Sequence, residues 1–267
     1  MMKNSLPLRW PTRNGLPSFA VIISIVVVVG LIIWATPVAE IDPLRIIVST
    51  PRLISFLSKI IVVPDIEYLP ELFQKMLETI EMTFLATSIA LVISFPIGFL
   101  AAKNTSPHPV VSNFIKTLLS LMRALPELVW ALVFVSALGL GPFPGVMAMS
   151  FVTVGFMGKF FAESIEVVDP KPIEGVEAHG AGWLQVRTFG YLPQAMPDFI
   201  GSTLYILDHN LRAAAILGLV GAGGVGYDMV MAMRLYDYGR ITGIALAIYL
   251  SITLLDRLSN YFRRKVI

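Results

Sequence analysis

The sequence predicts an all-α membrane protein with six transmembrane helices and cytoplasmic N- and C-termini, and three observations predict it. Charged residues make up 14% of the 267 positions and hydrophobic ones 56%, with a mean hydropathy of +0.77, whereas a soluble domain carries about 25% charged residues. The apolar residues fall in blocks of membrane-spanning length instead of at core-forming spacing. Lysine and arginine gather on one side of those blocks, as cytoplasmic flanks do. The chain has no cysteine, so disulfides, thiolate metal sites and cysteine nucleophiles are excluded.

The first block, Phe19 to Thr36, follows Lys3, Arg9 and Arg13 and is long enough to cross a hydrocarbon core of about 30 Å. It reads as a signal anchor; the alternative is a cleaved signal peptide, whose apolar region is usually shorter. Val38 to Glu78 is mixed in charge, and its semi-apolar piece, Leu44 to Val63, is interrupted by Pro51, Arg52 and Lys59. That piece reads as an interfacial segment on the outer face. Residues 1–78 therefore form an N-terminal anchor with an external loop, and residues 79–267 a transmembrane core.

The second span is Thr79 to Ala102, with Pro96 inside it and Lys103 closing it. The third, Phe114 to Leu138, starts beside Lys116 and carries Arg123, Pro126 and Glu127 in its first half. Gly139, Gly141, Pro142 and Pro144 make a tight outer turn. The remaining spans are predicted at about Phe143 to Ser164, Phe199 to Val220 and Arg240 to Leu258, and the chain closes on Arg257, Arg263, Arg264 and Lys265. This order puts the basic N-terminus, Lys103, Lys116, Lys171, Arg187 and the tail on the cytoplasmic side. Arg45, Arg52, Lys59 and Lys75 lie in the outer loop, where acids accompany them and where longer loops obey the rule less well.

Residues 166–197, between the fourth and fifth spans, are polar, acidic and punctuated by proline. Asp169 is placed to cap a short helix whose first residue is Pro170, with Glu174 near its positive end. The helix should stop at Gly180. Gly180 and Gly182 allow a reversal into Trp183 to Tyr191, and Leu192, Pro193 and Pro197 lead back to the membrane.

This loop resembles the cytoplasmic signature of the permease subunits of ABC importers: Glu-Ala-Ala, three residues, Gly, nine residues, a hydrophobic residue, one residue, Leu-Pro. Glu174, Gly180, Leu192 and Pro193 keep that spacing, while Gly175, Val176 and Gly190 depart from its residue types. Glycine costs about 1 kcal/mol relative to alanine in a helix interior. The stretches Arg123 to Trp130 with Gly139 to Pro142, Tyr191 to Gln194 with Met196-Pro197, and Asn210 to Gly226 narrow the resemblance to the phosphonate importer permeases. That is the PhnE-like branch of the type I, MetI-like, methionine-importer fold. The resemblance implies a bacterial inner-membrane homodimer and two cytoplasmic ATPase subunits carrying ATP and Mg. It further implies an external solute-binding protein delivering phosphonate, phosphite or hypophosphite. It makes Asp169, Glu174, Gly180, Leu192 and Pro193 a contact with the ATPase.

Two charged pairs fall inside spans. Arg212 sits about 20 Å along the fifth span, near mid-membrane. Asp208, four residues earlier, shares its helix face in the favourable order for an ion pair. The pair holds helices together, or Arg212 with Asn210 or His209 meets an oxyanion in a translocation path; an aspartate satisfying the arginine weakens the second role. Arg123 and Glu127 repeat the spacing around Pro126 and read as a structural or gating pair.

Gly221, Gly223 and Gly226 match G-x-G-x-x-G, but a dinucleotide site needs a preceding strand, and here a helical span precedes. With Gly224 they read as close-packing or bending residues at an outer gate where two copies meet. His108, His179 and His209 have no metal-ligand spacing, no catalytic set converges on one face, and the basic tail reads as a topology anchor, not a nucleic-acid site. The chain lacks a phosphate loop, so no cofactor is expected on it and, in the leading reading, ATP is hydrolysed on a separate chain. The rival classes are a secondary transporter, which would more often show internal repeats and buried carboxylates, and an intramembrane enzyme.

Overall fold

A computed structural model describes residues 12–13, 16–17, 19–38, 42–60 and 62–266. Lys3 and Arg9 lie outside the described residues, as does the last residue. Residues 1–58 and 59–267 form two units. In the first, strands β1 (Thr12–Arg13) and β2 (Leu16–Pro17) pair antiparallel, a two-residue exception to the all-α expectation. Helix α1 (Phe19–Val38) follows and is exposed along nearly its whole length. Helix α2 (Pro43–Ile60) accepts Pro51 within it and falls short of the apolarity of a spanning helix.

The second unit starts with α3 (Leu69–Ala101), ten residues before the predicted start at Thr79. Past Leu72, Met76 and Met82, its buried stripe is made of small residues and threonines, among them Thr83, Ala86, Thr87, Ala90 and Gly98. Small residues let helix backbones approach closely where lipid supplies no hydrophobic drive between them. A Cβ on Gly98 would lie 2.7 Å from the Phe161 Cβ. The Thr79, Thr83 and Thr87 hydroxyls each donate at 2.8 Å to the carbonyl four residues back, so the stripe buries no free donor.

The predicted third span is not one helix. It is α4 (Pro109–Met122) and α5 (Glu127–Leu138), bent by 81°. Pro126 has no N–H to give the Met122 carbonyl, and its ring disfavours helix at Leu125. Trp130 Nε1 donates to that carbonyl at 3.1 Å, while its ring packs 4.5 Å from Phe151. The indole thus satisfies the acceptor that the proline leaves free, and the break is held.

Helix α6 (Pro142–Glu166) is the central one, with 72% of its most apolar stretch buried, against 33% for α3. The loop after it holds α7 (Pro170–Ala178), α8 (Trp183–Gln185) and a π-helical turn, Val186–Tyr191. Helix α9 (Leu192–Leu217) starts seven residues before the predicted span, with Pro193 in its first turn. A 3₁₀ turn and a glycine bend of 46° lead to α10 (Val225–Arg234), and α11 (Tyr238–Val266) continues through the basic tail. Among the described residues four helices are long and apolar enough to cross a membrane, and counting each bent pair as one span brings the number to six.

Apolar clusters fill the two ends of the bundle: Leu119, Phe161, Ile165 and Phe199 near the loop, and Met82, Met149, Leu217 and Ala222 near the glycine bend. A third cluster, with Leu72, Met76, Val225 and Ile244, seats α11. Beside it Tyr68 donates to Asp228 at 2.8 Å, and burial, then that bond, push its phenol well above the ordinary value, so it remains a donor.

Candidate translocation path and coupling loop

The loop between α6 and α9 is built from local signals. The Asp169 carboxylate accepts the Lys171 N–H at 3.0 Å, Pro170 and Pro172 occupy the first turn, and Gly180 ends the segment with φ +78°. Glu174 is exposed on the short helix. Gly190, at the signature's hydrophobic position, lies against Ile173: a Cβ there would fall 3.4 Å from the Ile173 Cγ1. That is ordinary van der Waals distance, so Ile173 packs directly against the π turn at this position.

Arg187 fastens this loop to the turn between α3 and α4. Its guanidinium stacks 3.4 Å from the Trp183 ring centre, donates to the Trp183 carbonyl at 2.9 Å, and donates to the Thr105 carbonyl. Glu166 joins the same region by accepting the Lys103 N–H at 2.8 Å and pairing with Lys116 at 2.6 Å. Nothing in the residue pattern around Arg187 singles it out, because its partner Thr105 is 82 positions away.

In the span interiors Arg212 pairs with Asp208 at 2.6 Å and lies 3.6 Å from Asp256 of α11, a partner that sequence reading missed. Asn210 does not join them. Two residues along a helix are not neighbours on its surface, and Asn210 is fully buried: its amide donates to Thr87 at 2.9 Å and accepts from Thr153 at 3.1 Å. The expectation that puts Asn210 in the path with Arg212 is thereby corrected. It is a polar staple through α3, α6 and α9.

Arg123 and Glu127 do not pair either, because the 81° break turns them apart. Glu127 meets His209 at 3.2 Å, while Arg123 lies over Phe156 at 5.2 Å. His108 caps α4 and His179 contacts the Gly175 carbonyl, so the three histidines have separate local partners.

The glycine bend has intrachain partners. The Gly141 N–H donates to the Gly221 carbonyl at 2.9 Å, and a Cβ on Gly223 would fall 2.8 Å from Pro142. Glu78 accepts the Gly224 N–H at 3.0 Å and Thr79 the Val225 N–H at 2.9 Å, so α3 caps α10. Gly226 is tightest: its Cβ would lie 2.0 Å from the Ala215 carbonyl oxygen. The neighbours that these glycines meet within the chain are Leu140, Pro142, Thr79 and Ala215.

Residues 94–267 match the family described as binding-protein-dependent transport system inner membrane component. The chain belongs to that family. This permease is 39% identical over 201 residues to the phosphite transport system permease protein PtxC of Stutzerimonas stutzeri, covering 75% of this chain and 73% of that one. It is 40% identical over 207 residues to the putative phosphite transport system permease protein HtxE of the same organism, covering 78% and 79%. With the phosphate-import permease protein PhnE of Mycolicibacterium smegmatis it shares 36% over 242 residues, 90% of this chain but 45% of that one. In fold the permease resembles the inward-facing MetNI methionine ABC transporter, with TM-score 0.67 at 20% identity over 76% of this chain and 99% of that one. It is therefore a multi-pass, non-catalytic inner-membrane permease of an ATP-driven importer, a family that implies ATPase and binding-protein partners.

Two results should follow in the purified permease. Asn210→Ala leaves the Thr153 hydroxyl without its acceptor, removes the bond that Thr87 accepts, and should cost about 1–3 kcal/mol, read as a fall in the thermal midpoint in detergent; an unchanged midpoint would refute the staple. Arg187→Ala should cut solute uptake about tenfold in the assembled transporter, the worth of one charge-assisted bond. Arg187→Lys should not restore it, since lysine has neither the fork nor the stacking plane.

Proposed function

We propose that the chain is the permease of an importer for phosphonate or a related phosphorus oxyanion, phosphite or hypophosphite. In this reading it works as a homodimer with two cytoplasmic ATPase subunits, which bind ATP and Mg, and an external solute-binding protein. The observation that carries the reading is the similarity to PtxC and HtxE across about three quarters of each chain. Glu174, Gly180, Leu192 and Pro193 at the importer signature's spacing, with Asp169 as the cap, support a role for the loop in transmitting ATPase closure.

The function is tested in proteoliposomes holding the permease, its ATPase and its binding protein. Uptake of labelled phosphite and methylphosphonate should require ATP and the binding protein. Uptake by the permease alone on an ion gradient, or no uptake of any phosphorus oxyanion by the full assembly, would overturn the reading.

A further inference from the structure

Arg212 and Arg123 are partnered in opposite ways. Arg212 has Asp208 at 2.6 Å and Asp256 at 3.6 Å, so its charge is already answered within the chain. Arg123 has no carboxylate partner among the described residues. Its Nε donates to the Leu119 carbonyl at 3.3 Å, and its guanidinium lies 5.2 Å from the Phe156 ring centre. Its stem crosses α6 over Gly155, where a Cβ would fall 2.7 Å from the Arg123 Cγ. The glycine makes the groove and the ring next to it makes the platform.

The carboxylate that helix periodicity would bring to Arg123 has been taken away. The break at Pro126 turns Glu127 toward His209 at 3.2 Å, and the His209 ring lies 6.3 Å from the other partner of Arg123, Phe156. An unanswered cation in a span is costly and is kept where it faces a water-filled path or a ligand. An arginine lying on an aromatic ring is oriented without being neutralised, so its outer N–H groups remain free for a planar, two-point contact.

We propose that Arg123, seated on Phe156 and Gly155, is the residue of the translocation path that contacts the oxyanion, and that Arg212 is not. The guanidinium fork would meet two oxygens of the tetrahedral phosphorus group as it passes along the cytoplasmic half of the path. This rests on the oxyanion reading of the substrate, and the experiment keeps the two apart.

Uptake of labelled phosphite and ATP hydrolysis are measured together in proteoliposomes with the complete transporter and its loaded binding protein. If the unsubstituted transporter carries no phosphite, methylphosphonate or phosphate, the substrate reading itself fails. If it does, Arg123→Gln should lower solute moved per ATP roughly tenfold, while binding-protein-stimulated hydrolysis stays within about twofold. Arg123→Lys should recover part of the ratio. Phe156→Leu, which keeps apolar bulk and removes the ring face, should lower the ratio about threefold, the worth of one cation–π contact. A ratio unchanged in both Arg123→Gln and Phe156→Leu would overturn the proposal, as would parallel loss of uptake and hydrolysis in the assembled Arg123→Lys transporter. If Arg123→Gln does not assemble, Arg123→Lys and Phe156→Leu decide by the same ratio.

Discussion

Gly226→Ala is expected to unfold the end of the bundle opposite the loop and to abolish ATP-driven uptake, although it adds a single methyl group. The new Cβ would stand 2.0 Å from the Ala215 carbonyl oxygen, and on the other side of the bend a Cβ at Gly218 would meet the Tyr227 N at 2.3 Å. Both obstacles are backbone, so α9 and α10 must separate, and overpacking of that kind costs roughly 1–3 kcal/mol or more. The displacement would also pull the Gly224 and Val225 N–H groups away from Glu78 and Thr79, leaving two donors of α10 without acceptors. Gly221→Ala is the control. It meets only the end of the Leu140 side chain and carries the left-handed penalty of roughly 1–2 kcal/mol for its φ of +78°. The thermal midpoint of the detergent-solubilised permease should therefore fall further for Gly226→Ala than for Gly221→Ala. Equal midpoints would show that α9 and α10 are not in contact at this point.

What was legible in the sequence depended on how far away the deciding partner lies. The blocks of apolar residues, the Asp169 cap, Pro170 and the Gly180 stop all act within a few positions, and the structure forms the short helix at 170–178. The same local logic misread the third span. Pro96 and Pro126 both sit in apolar runs, yet α3 continues through the first and the chain breaks at the second. Spanning helices tolerate proline where neighbours satisfy the freed carbonyl, and at Pro126 that neighbour, Trp130, favours the broken form by reaching Met122. The groove at Gly155 that receives Arg123 lies on another helix, so no window around Pro126 contains it. Asn210 was misplaced for the same reason. It stands two positions from Arg212 in sequence, while Thr87 and Thr153, which bury it, are 123 and 57 positions away. Sequence spacing found the Asp208–Arg212 pair because one helix carries both, and could not find Asp256, because α11 carries it.

That third carboxylate sets the order of effects expected from substitutions on α9. With only Asp208 and Arg212 present, removing either would leave one uncompensated charge and the two single variants would behave alike. With Asp256 at 3.6 Å they should not. Asp208→Ala leaves Arg212 a second carboxylate and should be mild. Arg212→Ala leaves two aspartates facing each other without the arginine, and Asp208 is the more buried of them. A charged residue at the centre of a span costs roughly 2.5–3.5 kcal/mol on insertion scales, and the like charge adds to it. Because Arg212 and Asp256 are each nearly half exposed, solvent screening will trim the cost, but not its sign. Arg212→Ala should therefore lower the assembled fraction of permease and its thermal midpoint the most. Adding Asp208→Ala to it should restore a large part, since that removes the buried member of the opposed pair. A double variant as poor as the sum of the singles would mean that Asp208 and Arg212 act independently, and the ion triad would not be what joins α9 to α11.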